Sequence, residues 1–83
     1  GAGGRAEGNA MKVTLESTDK LVDLNGIPAR VWEGQTEHGS RVYAFITRIA
    51  VHRNDDASEF ERDLQEHRAP SREVALIPRR LIL

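Results

Sequence analysis

The readable pattern begins with alternation. Over residues 12–16, Val13 and Leu15 fall on one side while Lys12, Thr14 and Glu16 fall on the other, the two-residue period of a half-buried strand. Residues 20–24, Lys-Leu-Val-Asp-Leu, then meet Asn25-Gly26 and a second apolar run over residues 27–33. Asn-Gly readily takes the two positive-φ positions of a type I′ turn, so a hairpin is predicted there. Pro28 has no N–H, and its nitrogen should point away from a ladder bond or lie where the strand begins. A second breaker, Glu37-His38-Gly39-Ser40, precedes residues 41–51, the longest β-favouring run of the chain. In that run Tyr43, Phe45, Ile49 and Val51 alternate with Val42, Ala44, Ile46 and Ala50, so both faces ask for cover, as in a central strand.

From Asn54 the pattern changes. Residues 55–68 open with acids and close with His67 and Arg68, which suits both ends of a helix dipole. Asp55 or Asp56 is the expected cap, and Ala57, Phe60 and Leu64 form one narrow apolar stripe. Ala69-Pro70 should stop the helix. The tail is apolar to its last residue and is therefore expected to dock: residues 80–83 as a strand, and residues 74–77 as a short strand or a helical turn capped by Ser71. The resulting expectation is an α+β domain of order β-β-β-β-α-β, an antiparallel sheet of about five strands with one α-helix packed across it. Phe45 and Phe60 would meet between sheet and helix, and Trp32 would lie across the hairpin.

The chain has 83 residues, enough for one small domain. Residues 1–10 hold four of the seven glycines and no large apolar side chain, so they are expected to be a disordered leader or an expression-tag remnant preceding a single domain over residues 11–83. No apolar run approaches the roughly 18 residues of a membrane span. The absence of cysteine excludes disulfides, thiolate metal sites and a cysteine nucleophile, and fits a reducing, cytoplasmic setting.

Charge is balanced overall, with 12 basic against 13 acidic side chains, but it is segregated along the chain. Residues 55–67 hold six acids and one Arg, whereas residues 41–54 hold three Arg and no acid. Ten of the twelve cations are Arg, the residue suited to forked contacts with carboxylate or phosphate. Either these arginines balance the acidic helix, or Arg41, Arg48, Arg53, Arg79 and Arg80 gather on a sheet face as a binding site for an anionic partner.

Catalytic patterns are missing. His38, His52 and His67 sit in no motif and at no metal-site spacing; Ser40, Ser58 and Ser71 lie in no nucleophile elbow; no phosphate-cradling glycine loop occurs. The carboxylates of residues 55–67 read as a solvated helix face. No catalytic, metal or cofactor site is expected.

The strings Asn25-Gly26-Ile27-Pro28-Ala29-Arg30-Val31-Trp32-Glu33-Gly34, Thr47-Arg48-Ile49-Ala50-Val51, Ala69-Pro70-Ser71 and Ile77-Pro78-Arg79-Arg80-Leu81-Ile82-Leu83 resemble a family of small uncharacterised proteins encoded by phages and prophages of Gram-negative bacteria. The resemblance implies a genomic setting and, with it, a host or phage protein as partner. Apolar surface in residues 41–51 and 81–83 exceeds what one short helix can cover. The expected function is therefore a non-catalytic protein-interaction module that self-associates, without a membrane. The alternative is a nucleic-acid-associated accessory protein using the Arg-bearing segments, a reading that the net charge of −1 disfavours.

Overall fold

The computed structural model describes residues 10–83. The leader expected over residues 1–10 lies, but for Ala10, outside the described residues. Three long strands, β1 (Val13–Leu24), β2 (Ile27–Thr36) and β3 (Arg41–Ile46), form an antiparallel meander. Two short helices follow, α1 (Ala57–Leu64) and α2 (Arg72–Ala75), and then β4 (Arg80–Leu81). The sheet order is β3-β2-β1-β4, with β4 parallel to β1. The fold is α+β, as expected, but its sheet is mixed and has four strands rather than about five antiparallel ones.

The missing strand is accounted for by β1. The alternating runs at residues 12–16 and 20–24 are one strand, interrupted by a shift of register between Ser17 and Leu21. Ser17 lies opposite Trp32 and Leu21 opposite Arg30, so three residues of β1 face Val31 alone. Thr18 fills this bulge: its hydroxyl is buried and donates to Val31 O at 2.6 Å, replacing the ladder bond that the backbone cannot make there. On the outer side, Asp19 N–H donates to Arg68 O at 2.9 Å and Arg68 N–H to Ser17 O at 3.2 Å.

The first turn forms as its sequence requires. Asn25 and Gly26 have φ of 53° and 88°, and Gly26 N–H is capped by Asp23 Oδ1 at 2.5 Å. Pro28 faces Asp23, whose N–H points outward to Arg79 O, so the missing donor of Pro28 costs β1 nothing. It does limit β3. The β2–β3 ladder ends at the pair Arg30–Ile46, and the next bond would need an N–H from Pro28. The strand expected to reach residue 51 therefore stops at Ile46.

Gly34 is required by close approach. A Cβ placed there would lie 1.7 Å from Thr14 O, in the backbone of the neighbouring strand.

The core is small and lies on one face. Val22 and Ala29 are buried there with Val31 of β2 and Val74 of α2, and Leu24, Phe45, Ile77 and Leu81 pack around them. The covering element is α2, a single turn whose N-cap Ser71 accepts from Val74 N–H at 3.3 Å. The longer helix α1 does not do this: it buries none of its residues, and the expected meeting of Phe45 with Phe60 does not occur, since Phe60 lies near Val51 and His52. Helix α1 starts where expected, with Asp56 as N-cap accepting from Ser58 N–H at 2.9 Å, but it ends at Leu64. Beyond it Glu66 O accepts from the Ser17 hydroxyl and Arg68 pairs with β1, contacts that a helix continued to Arg68 would forfeit.

The tail docks through its backbone and through Leu81, which packs against the core. Asn25 N–H donates to Leu81 O, and the Asn25 side chain both donates to Leu83 O at 3.3 Å and accepts from Leu83 N–H at 3.0 Å. Beyond Leu81 the side chains turn outward, with Ile82 84% and Leu83 79% exposed.

Candidate interaction surface

The two faces of the sheet follow from the register. Ala29, Val31 and Glu33 of β2 share the face covered by α2, with Tyr43 and Phe45 of β3 opposite them. Arg30, Trp32 and Gly34 share the other face with Ile46, Ala44 and Val42. Along β1 the apolar positions lie on one face before the bulge and on both faces after it. Val22 and Leu24 face the core, whereas Val13, Leu15 and Leu21 stand on the side of Trp32. The open face thus carries large apolar side chains from all three long strands, and Leu21 is 54% exposed.

A shallow groove of about 290 Å³ crosses this open face. Its floor is Leu21, Trp32 and Ile46; Ile49 and Leu64 stand at its side, and Arg30 and Arg48 line it as well. Leu64 is the only residue that α1 contributes. A second depression shares Leu21 and Pro28 with the groove and is lined further on by Arg79 and Arg80. The arginines expected to gather are thereby divided. Arg48 lines the open-face groove, and Arg79 and Arg80 line the neighbouring depression that shares Leu21 and Pro28 with it. Arg41 is elsewhere, paired with Glu73 of α2, and Arg53 is exposed in the turn before α1. Arg30 was not among the expected site residues; its guanidinium is anchored to Thr18 O at 2.8 Å, at the bulge. Among the described residues, no carboxylate lies within ion-pair distance of Arg48, Arg79 or Arg80.

The covered face holds a polar cluster with a different role. Glu33 is buried, and its Oε2 accepts from Ser71 N–H at 2.8 Å and from Arg68 at 3.0 Å, while Arg68 also bonds Glu16 at 2.8 Å. Burial pushes the Glu33 carboxyl up, but the hydrogen bonds from Ser71 and the Arg68 guanidinium outweigh it and hold the group below its ordinary range. A carboxylate so committed is ionised at neutral pH and has no proton to give. It fastens the start of α2 and the chain before it to the middle strand. Glu73 is likewise held low, by the Tyr43 hydroxyl at 2.8 Å and by Arg41, and Tyr43 is raised by the same bond.

The histidines have ordinary surroundings. His52 Nδ1 accepts from Asn54 N–H at 3.2 Å within the turn before α1, and His38 is exposed in the second hairpin loop. Among the described residues, no group of three His, Asp or Glu side chains could hold a metal ion, and no helix is long and apolar enough to cross a membrane. No family model matches the chain, and neither the curated proteins nor the solved structures contain a match to it.

Proposed function

We propose that this chain is a non-catalytic interaction module that self-associates through the open face of its sheet, of the kind that phages and prophages encode. One observation carries the reading: among the described residues only four apolar side chains are buried, while Leu21, Ile49 and Leu64 remain exposed around half-buried Trp32 and Ile46 on the opposite face. A stable monomer seldom leaves a contiguous apolar face on its main sheet in water. A second copy can cover it by symmetry without any further component.

Light scattering at tens of micromolar tests this. The wild type should have twice the mass of the chain, and Leu21→Asp should have the monomer mass with unchanged circular dichroism. A monomeric wild type overturns the reading.

A second reading rests on Arg48, Arg79 and Arg80, which have no carboxylate partner among the described residues, beside a groove that holds Trp32, a combination suited to a phosphate backbone with a stacked base. Titration with single- and double-stranded DNA and RNA distinguishes it. Binding that weakens steeply with salt and disappears in Arg48→Glu would favour this reading; binding indifferent to both would remove it.

A further inference from the structure

We infer that the occupant of the open-face groove is helix α1 of a second copy of the chain, an inference that rests on the self-association proposed above. The helix itself supplies the first reason. An isolated helix of eight residues is not stable in water, and helices of this length persist by burying an apolar stripe. Helix α1 has the stripe, Ala57, Phe60 and Leu64, yet it buries no residue within its own chain. Its own groove receives only Leu64, at the side. Phe60 is only half-buried, near Val51 and His52, and Leu64 is 45% exposed, so the single chain covers the stripe in part.

Charge supplies the second reason. Residues 55–67 carry six acids against one Arg, and among the described residues none of these acids forms an ion pair. In and beside the groove, and again among the described residues, Arg48, Arg79 and Arg80 are without carboxylate partners, and Asp23 is the only acid in the lining of either depression. Glu61 and Asp63 flank the apolar stripe at helical spacing, where they would meet a basic rim once Phe60 and Leu64 enter an apolar floor. A two-fold axis makes the contact reciprocal, so each complementary pairing occurs twice.

The prediction is tested by charge reversal in trans. One variant, R48E/R79E/R80E, has an acidic groove and an acidic helix; the other, E61K/D63K, has a basic groove and a weakened acidic helix. Each alone should be monomeric at tens of micromolar, and their equimolar mixture should recover the two-chain particle, because each groove then meets a helix better matched to it. All substituted residues are exposed, and circular dichroism checks that both variants fold. If the wild type is a dimer and both variants dimerise as well as it does, or if the mixture stays monomeric, the helix is not the occupant while self-association stands. If the wild type is a monomer, both readings fall together. A second measurement needs no variant: raising salt from about 50 to about 500 mM shortens the screening length severalfold and should weaken the wild-type dimer at least tenfold. A dimer constant indifferent to salt overturns the inference.

Discussion

The two faces of one sheet solve the same problem in opposite ways. On the covered face a single helical turn places Val74 over Val22, Ala29 and Val31, and Glu33 ties that turn down through Ser71 and Arg68. On the open face a longer helix with a better apolar stripe stands beside the sheet, its Phe60 half-buried and none of its residues fully buried. Helix length does not decide which element covers the core. The decision lies in the attachment: α2 is held by a buried carboxylate, by Tyr43 and Arg41 on Glu73, and by Lys20 Nζ donating to Ala75 O at 3.1 Å. Helix α1 has no comparable anchor on its own sheet. The difference separates a face built for stability from a face available for contact.

Substitutions on the covered face should therefore unfold the chain, and substitutions on the open face should separate copies of it. The largest effect is expected at Gly34, which is in phase with the open face but closed in by the neighbouring strand, so that a side chain would collide with the Thr14 backbone; Gly34→Val should cost about 3 kcal/mol or more and abolish a cooperative thermal transition monitored by circular dichroism. Val74→Ala follows, at about 2 kcal/mol, read as a lower urea midpoint at constant slope.

Glu33→Gln should cost somewhat less, because Arg68 is partly solvated and screening weakens its share of the contact. It should also change the pH dependence. The folded Glu33 carboxyl sits below its unfolded value, so its contribution is complete above about pH 4.3 and is lost as pH falls through the folded pKa. Urea midpoints across that acidic window should fall more steeply for the wild type than for Glu33→Gln; equal slopes would contradict the latch.

The smallest effect on stability is expected at the exposed apolar side chains of the open face. Leu21→Asp should move the unfolding free energy of the monomer by less than about 0.5 kcal/mol, measured at a concentration low enough to keep the wild type dissociated. A large destabilisation there would mean that the open face belongs to the core after all, and the contrast between the faces would fail.

Much of the local structure was legible in the residues themselves. Asn25-Gly26 specified the turn, Asp55-Asp56 marked the start of α1 to within one residue, Ser71 offered a cap for residues that could equally have been a short strand, and the strand pattern of residues 12–16 and 27–33 placed β1 and β2. The errors arose where one segment depends on a distant one. Residues 41–51 favour β structure throughout, yet β3 ends at Ile46 because its neighbour offers Pro28 at the next rung. Residues 65–68 suit a helix end, yet Arg68 is drawn out to pair with the bulge of β1. Of the expected binding residues, Arg48, Arg79 and Arg80 reach connected depressions, whereas Arg41 is taken by Glu73 thirty-two positions away. The Glu33 latch had no signal in the sequence beyond an acid at an inward-facing strand position, Glu33 in phase with Ala29 and Val31.

The sequence by itself determined the α+β class, the first hairpin and, to within one residue, the start of α1, since these depend on backbone preferences and on bonds between residues a few positions apart. Only the tertiary structure decided which helix covers the sheet, where β3 stops, and that Val13, Leu15 and Leu21 stand on the opposite face from Val22 and Leu24. The physical reason is that a strand offers two faces of equal backbone geometry, and which one becomes the interior is fixed by the partner that reaches it.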